Sequence, residues 1–416
     1  MSEDIREAAR QGEVGLQRSL GLWLSVLYGL GVTIGAGIYV LIAPAVARAG
    51  VHAPLAFLLA ALVMAPSAAS FAELSSRMPM SAGEATYVRA GLKSALLARL
   101  VGLIVIATAI ISAATVSRGS AGYIAVFLDL PFGVIVAGVV LTLGALTAWG
   151  IWQSVSFAGV MTLIEVGGLV IIIGIGAAYT PDLFQRLPET WSGLGGAAAW
   201  TGVFSAVLLA FFAFTGFEGL ANIAEEVKQP SRTLPLAIFL TLGLVTLLYV
   251  LIVWVALVTV PREELAQTAA PLSLVYERVT GASPAIITAI AIAATVNGVV
   301  VFMVMGSRVI YGMAAQNLLP APLARISART RTPLAATGIV VATVLVLALA
   351  FPIEGLAETS SRLTLIVFAF VNAALLKLKI DGVAAPAGAF VAPVWVPVLG
   401  LGTSLALLAT ELALRL

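Results

Sequence analysis

The sequence has no cysteine, one histidine and few charged residues, since only 10% of its 416 residues are Asp, Glu, Lys or Arg. Without cysteine, disulfides and thiolate metal sites are excluded. His52 lies in a predicted loop, where a surface histidine is commoner than a metal ligand. We therefore expect neither a metalloenzyme nor a bound cofactor. The nucleotide-binding pattern GxxxxGK[ST] is also missing, which leaves an ATP-driven pump unsupported.

Apolar residues are abundant instead, at 61% of the chain with a mean hydropathy of +1.10. A typical soluble domain carries roughly 25% charged residues. Counting apolar runs between charged or Pro/Gly-rich breaks predicts an all-α, polytopic membrane protein, embedded in a lipid bilayer and without a nucleic-acid partner. The eleven predicted spans are 21–47, 54–74, 96–127, 132–150, 156–178, 198–220, 234–259, 284–313, 333–351, 361–378 and 391–414.

The polar leader, residues 1–20, lacks the apolar core and cleavage site of a signal peptide, so we expect it in the cytosol. With that orientation, fifteen of the 22 Lys and Arg residues fall on the cytosolic side and Arg118 falls within a span. This imbalance follows the positive-inside rule, and an odd number of spans places the C-terminus outside. Six basic residues remain outside: Arg48, Arg186, Arg262, Arg278, Arg362 and Arg415.

The stretch 29–40, GLGVTIGAGIYV, places four glycines within the first predicted span. One interpretation is that the helix is broken there, which a membrane tolerates only where the backbone faces protein, water or a ligand. The exposed amides and carbonyls of 33–37 could then bind a small zwitterion. The alternative is that the glycines only allow close helix packing.

Some features recur about 180 residues apart. The first and sixth spans are both interrupted by glycine, and the third and eighth are both unusually long. This recurrence indicates two inverted repeats of five spans each. The expected organisation is a leader at 1–20, a first repeat at 21–180, a second repeat at 198–380 and an additional eleventh span within 388–416.

Four motifs resemble the amino acid-polyamine-organocation superfamily of amino acid permeases, which have the LeuT-type fold. They are GVTIGAGIYVLIAPAVARAG, FAELSSRMPMSAGEATYV, FFAFTGFEGLANIAEEVKQPSRTLPLAI and SRVIYGMAAQNLLPAPLARIS, in the family's order. The resemblance implies a five-plus-five inverted-repeat core with broken first and sixth helices that hold the substrate. It places the substrate-binding loops at Thr33, Ile34, Gly35, Ala36 and Gly37, and at Phe211, Ala213, Phe214, Thr215 and Gly216.

Several ionisable residues fall within predicted spans, and three of them are candidates for a role in transport: Arg118, Glu165 and Glu218. Glu165 stands where many relatives have a lysine, so it could attract a proton or a sodium ion. Each of the three costs at least about 2.5 kcal/mol near mid-membrane and should have a partner. One interpretation is a structural pair of Arg118 with either glutamate, and another is that Glu165 or Glu218 changes protonation during transport. Arg118 could also meet a substrate carboxylate.

These observations predict a secondary transporter that moves an L-amino acid or a related amine by alternating access. We expect coupling to a proton or, alternatively, to sodium, and an exchanger of amino acids or polyamines is a further possibility. A sensor should carry a soluble output domain and a channel a continuous ring of polar residues, and the sequence has neither. The expected location is the inner (plasma) membrane of a prokaryote.

Overall fold

A computed structural model describes residues 18, 20–79, 83–149, 155–315, 318–330 and 332–413. The leader, apart from residues 18 and 20, and Met80–Ala82 therefore lie outside the described part. The described helices are α1 (Leu22–Ala49), α2 (Ala53–Arg77), α3 (Gly83–Leu92), α4 (Ala95–Ile124), α5 (Phe132–Trp149), α6 (Val155–Tyr179), α7 (Ala197–Phe214), α8 (Pro230–Thr259), α9 (Arg262–Gln267), α10 (Pro271–Thr280), α11 (Ala285–Ala315), α12 (Leu334–Ala350), α13 (Ile353–Ile380) and α14 (Trp395–Ala413), with 3-10 helices at Gly50–His52, Leu183–Thr190, Phe217–Glu226 and Ala321–Ala324.

Within the described residues, eight helical segments are long and apolar enough to cross a membrane, and further apolar helices are shorter. Eleven apolar helices coincide with the eleven predicted spans, and most edges differ by a few residues; α7 ends six residues earlier than predicted, and α13 begins eight residues earlier. The prediction of an all-α polytopic membrane protein is confirmed. Side chains such as Trp23, Leu62 and Leu163 remain exposed on the outside of the bundle, as expected for a surface that meets lipid.

Four pairs of helices that are five spans apart lie against each other. The first span, α1, packs on the sixth, α7, and the second, α2, packs on the seventh, α8. The third and eighth spans, α4 and α11, form another such pair, as do α5 and α12. The helices α1, α2, α7 and α8 also contact one another across these pairs, and they form one group within the bundle.

The first span is a continuous helix from Leu22 to Ala49, which corrects the expected interruption at 33–37. Its glycines lie where neighbouring helices approach most closely. A Cβ added at Gly37 would lie 2.2 Å from the Cα of Ala213, and one added at Gly35 would lie 2.9 Å from the carbonyl oxygen of Ala294. Close packing needs only glycines without side chains, and it does not require the backbone to leave the helix. The helical hydrogen bonds of α1 are therefore kept.

The sixth span is interrupted where the sequence predicts. Helix α7 ends at Phe214, Thr215 is extended, and Gly216 has φ +129° and ψ −29°. The chain continues as the 3-10 helix Phe217–Glu226. Because only glycine adopts such a φ readily, Gly216 is what allows the helix to change direction here.

One end of the bundle, here called the N-face, holds the start of α1, the end of α2 and helix α3. There, Leu20 forms an isolated β-bridge with Val227, in which the Leu20 amide donates to the Glu226 carbonyl (3.0 Å) and the Lys228 amide donates to the Leu20 carbonyl (2.8 Å). Two main-chain hydrogen bonds thus join the entry of the first span to the end of the sixth.

Also on the N-face, the segment after α2 forms helix α3. This helix buries Glu84, Tyr87 and Val88. Glu73 near the end of α2 pairs with Arg77 (2.6 Å) and with Lys379 of α13 (2.8 Å), and all three side chains are buried. The N-face is therefore packed rather than open.

On the opposite face, ion pairs and two of the 3-10 helices connect neighbouring elements. Arg48 at the end of α1 pairs with Glu358 of α13, and Arg362 joins Glu358 (2.7 Å) to Glu411 of α14 (2.5 Å). His52, expected at the surface, is buried and its Nδ1 lies 2.8 Å from the carbonyl oxygen of Thr190. Several elements of this face are thus held together by polar contacts.

Candidate substrate and coupling site

The interruption in the sixth span presents main-chain groups that are not part of a regular α-helix. The amide of Gly216 donates to Oε2 of Glu218 (2.8 Å), two residues further along the chain. The hydroxyl of Thr215 donates to the Phe212 carbonyl (2.7 Å). A Cβ added at Gly216 would lie 2.8 Å from the carbonyl oxygen of Val32, so the interruption packs directly on α1.

Tyr249 of α8 connects the first and sixth spans at this point. Its hydroxyl lies within hydrogen-bond distance of two carbonyl oxygens, that of Thr33 (3.0 Å) and that of Ala213 (2.9 Å), and is fully buried. Sequence reasoning missed Tyr249, because a tyrosine in an apolar span carries no pattern that distinguishes it from packing. Its place reveals that α1 and α7 share one polar contact at the level of the interruption.

Two groups of aromatic rings lie on either side of the interruption. The ring of Phe214 contacts Phe57 (centroids 6.4 Å apart) and Tyr249 (5.0 Å). The ring of Phe217 contacts Phe71 (5.8 Å) and Phe368 (5.7 Å). Phe57 and Phe71 are fourteen residues apart on α2, which corresponds to about 21 Å along a helix. The rings therefore form two separate layers, one towards each face.

The predicted binding residues come together between α1 and α7. Those of the sixth span and Ile34 are buried almost completely, and Thr33 is also buried, with its hydroxyl donating to the Gly29 carbonyl (2.8 Å). The side chain of Ala36 lies outside the described part of the chain. The residues brought together are Thr33, Ile34, Gly35, Gly37, Phe211, Ala213, Phe214, Thr215 and Gly216.

Glu165 of α6 faces the glycine stretch of α1 and is fully buried. Both its carboxyl oxygens lie 3.3 Å from the position that a Cβ on Gly35 would occupy. Asn297 of α11 donates to Oε1 (2.9 Å), whereas Oε2 has no hydrogen-bond partner among the described residues. Asn297 therefore holds this carboxyl in place. A buried carboxyl oxygen without a donor favours a bound proton or cation there.

Arg118 does not join this site, and its predicted pairing with Glu165 or Glu218 is wrong. Its guanidinium donates to the Ala348 carbonyl (2.7 Å) and lies 5.2 Å from the centre of the Phe132 ring. Residue 118 is near the end of α4, towards the opposite face. There its guanidinium is stabilised by a hydrogen bond to a carbonyl at the end of α12 and by a cation–π contact.

Glu218 instead shares a small cavity with Glu84, a residue that sequence reasoning missed. The cavity has a volume of about 20 Å³. Burial raises the pKa of the Glu84 carboxyl on α3. The two glutamates are 134 residues apart in the sequence, so only the folded chain reveals that they meet.

Comparison of the sequence with known proteins assigns the chain to a family. The sequence model described as "Amino acid permease" matches residues 20–412. This chain belongs to the amino acid permease family. The match covers all the helices that form the site, so the interrupted sixth span and its partners lie within the family's shared region.

Three relatives illustrate the range of that family. The branched-chain amino acid permease BcaP of Bacillus subtilis is 29% identical over 399 residues, which cover 89% of this chain and 83% of that protein. An uncharacterised transporter of Mycobacterium tuberculosis is 34% identical over 374 residues, covering 88% and 81%. The vacuolar cationic amino acid transporter 4 of Arabidopsis thaliana is 31% identical over 379 residues, covering 85% and 62%. The permease family consists of transporters, and this chain is a transporter rather than an enzyme.

Proposed function

We propose that this permease carries an L-amino acid between α1 and the interruption at Thr215–Gly216, and that it alternates between states open to either face. The observation that carries the proposal is the interruption itself. An α-helix that stops inside the bundle leaves amides and carbonyls outside the helical hydrogen bonds; here Glu218 and Tyr249 bond them, and the carboxylate and ammonium of an amino acid can take the place of those side chains. The buried Phe214 and Phe217 layers lie on either side and are suited to close over a substrate in turn.

Alternation needs two bodies that can rock against each other. The packing of spans five apart supports two inverted repeats, 21–180 and 198–380, with α14 added outside them. Such repeats exchange conformations when the transporter turns from one face to the other. We place the N-face in the cytosol because most basic residues fall there, and the C-terminus outside. The inner membrane of a prokaryote fits that arrangement.

The substrate class follows from the side chains around the interruption. Ala213, Phe214 and Thr215 carry no charge, and Phe57 extends the apolar surroundings. A relative named as a branched-chain amino acid permease accords with an apolar pocket. We propose a small or medium neutral side chain for the substrate.

Coupling is assigned to Glu165, which takes up one proton as substrate enters. The unpartnered Oε2 of Glu165 is free to take up the proton, and the carboxyl lies close to Gly35 of the first span. One proton entering with a neutral substrate moves one charge, worth about 2.3 kcal/mol per 100 mV, or about a fiftyfold accumulation. Pure exchange lacks this contribution.

Proteoliposome uptake tests the proposal, with equal sodium on both sides so that sodium supplies no driving force. Uptake of labelled leucine should increase with an inward pH gradient. Glu165→Gln should lose that response and keep counterflow, whereas Glu277→Gln, at an exposed carboxyl on α10, should behave like wild type. Uptake that responds to a sodium gradient and not to a pH gradient, or an unchanged pH response in Glu165→Gln, would remove Glu165 as the proton site. Stronger competition by arginine or putrescine than by alanine or leucine would overturn the neutral substrate.

A further inference from the structure

The small cavity between Glu84 and Glu218 is lined from five elements of the fold, four of which supply its polar residues. Glu84 comes from α3, Glu218 from the 3-10 helix after the interruption, Thr108 from α4 and Thr364 from α13. The remaining lining is apolar. All the polar groups of the cavity are therefore oxygen atoms.

Two hydroxyls that line the cavity have no hydrogen-bond partner in the described structure. Thr108 is 8% exposed and Thr364 is 3% exposed, and the Oγ1 atoms of both are buried. A buried hydroxyl without a partner is unusual, because buried polar groups are nearly always satisfied. Something that interacts with oxygen atoms would satisfy both.

The two carboxyls have no basic partner. Within the described residues neither Glu84 nor Glu218 forms an ion pair with a lysine or an arginine. Glu84 and Glu218 interact electrostatically with each other, and Glu84 also interacts electrostatically with Tyr87, three residues along α3. A buried pair of carboxyls must either take up protons or bind a positive charge. A water molecule would satisfy the hydroxyls but could not compensate an ionised pair.

We infer that this cavity is a binding site for one small monovalent cation, with Na⁺ the best fit, held by Glu84, Glu218, Thr108 and Thr364. A hard cation prefers carboxyl and hydroxyl oxygens. A volume of about 20 Å³ accommodates one water-sized particle, which suits a dehydrated sodium ion. A proton shared by the carboxyls would still need a separate water for the two threonine hydroxyls, whereas one cation would be coordinated by all four side chains.

The bound cation would fasten the second half of the sixth span to α3, α4 and α13. Glu218 also accepts the Gly216 amide, so the ion acts one hydrogen bond away from the interruption. Its release would free the 3-10 helix from these neighbours. The site is distinct from Glu165 and does not depend on the proposed function, since cation binding can be measured without substrate.

The test is thermal unfolding of the purified full-length protein, in sodium against choline at constant ionic strength and pH, without amino acid. Sodium should raise the wild-type Tm in a saturable manner. Glu84→Gln should lose the shift and Thr364→Val should weaken it, while Thr241→Val should keep it. Thr241 is a matched control because its hydroxyl is also buried and unpartnered but lies beside Gly29.

Each other outcome overturns the inference. Absence of a sodium shift in wild type would do so, as would a shift that persists in both Glu84→Gln and Thr364→Val, because the ion would then bind elsewhere. Stabilisation by acid alone, lost in Glu84→Gln, would identify a shared proton. Stabilisation by putrescine or lysine and not by sodium would identify an ammonium site. If Glu84→Gln does not fold, Thr364→Val decides the question.

Discussion

The glycine stretch of α1 and the single glycine at the sixth-span interruption use the same residue for different physical reasons. In α1 the helix is regular, and Gly35 and Gly37 serve by lacking a side chain where another helix approaches. At Gly216 the backbone itself departs from the helix, with φ at +129°. Small size alone is needed in the first case; Gly216 needs conformational freedom as well, in addition to the small size that its contact with the Val32 carbonyl requires. The two regions face each other, so one surface of the site is shaped by packing and the other by backbone geometry.

The substitution with the largest expected effect is Gly37→Val, because the new Cβ would lie 2.2 Å from the Ala213 main chain. Neither backbone can yield without separating α1 from α7. Overpacking costs about 1–3 kcal/mol and sometimes more, and here it falls at the site. We expect loss of amino acid binding in a thermal-shift titration together with a lowered Tm. Gly174→Val, at a lipid-facing glycine with open space around it, is the control. Normal binding by Gly37→Val would show that α1 and α7 can separate at this point without consequence.

Gly216→Ala should have an intermediate effect. A residue held in a sparsely populated region costs about 1–3 kcal/mol, and each 1.4 kcal/mol is a factor of ten in affinity. We expect substrate affinity to fall about tenfold. Gly219→Ala, in the same 3-10 helix, has only an ordinary contact with Val32 and should bind normally. Equal affinities for the two variants would argue that the φ of Gly216 is not required for binding.

The smallest effect is expected for Gly29→Ala. Its clash is with a side chain, so a second substitution can relieve it, unlike the backbone clash at Gly37. The added Cβ would lie 2.5 Å from Oγ1 of Thr241, the end of a side chain rather than backbone. We expect a stability loss of about 1 kcal/mol. The double variant Gly29→Ala/Thr241→Ala should regain the wild-type Tm, because it removes the clashing atom and that atom has no hydrogen bond to lose. A double variant no better than the single one would indicate that Gly29 serves the backbone.

The sequence was sufficient for the spans and for the place of the sixth-span interruption, because hydrophobic length and Phe-Thr-Gly-Phe are local signals. It was misleading for the first span. Four glycines in a row of apolar residues are compatible with a break and with close packing, and only the positions of Ala213 and Ala294 distinguish them. Glu84 was similarly hidden, because a polar loop gives no indication that its helix is buried against Glu218.

The β-bridge between Leu20 and Val227 has a mechanical consequence. Its two hydrogen bonds use main-chain atoms alone, so they persist through any substitution at these positions that keeps the amides of residues 20 and 228. Proline is the one residue that lacks such an amide. The start of the first span and the end of the sixth are thus joined through their main chains. A displacement of one segment is transmitted to the other, whatever side chains the two segments carry.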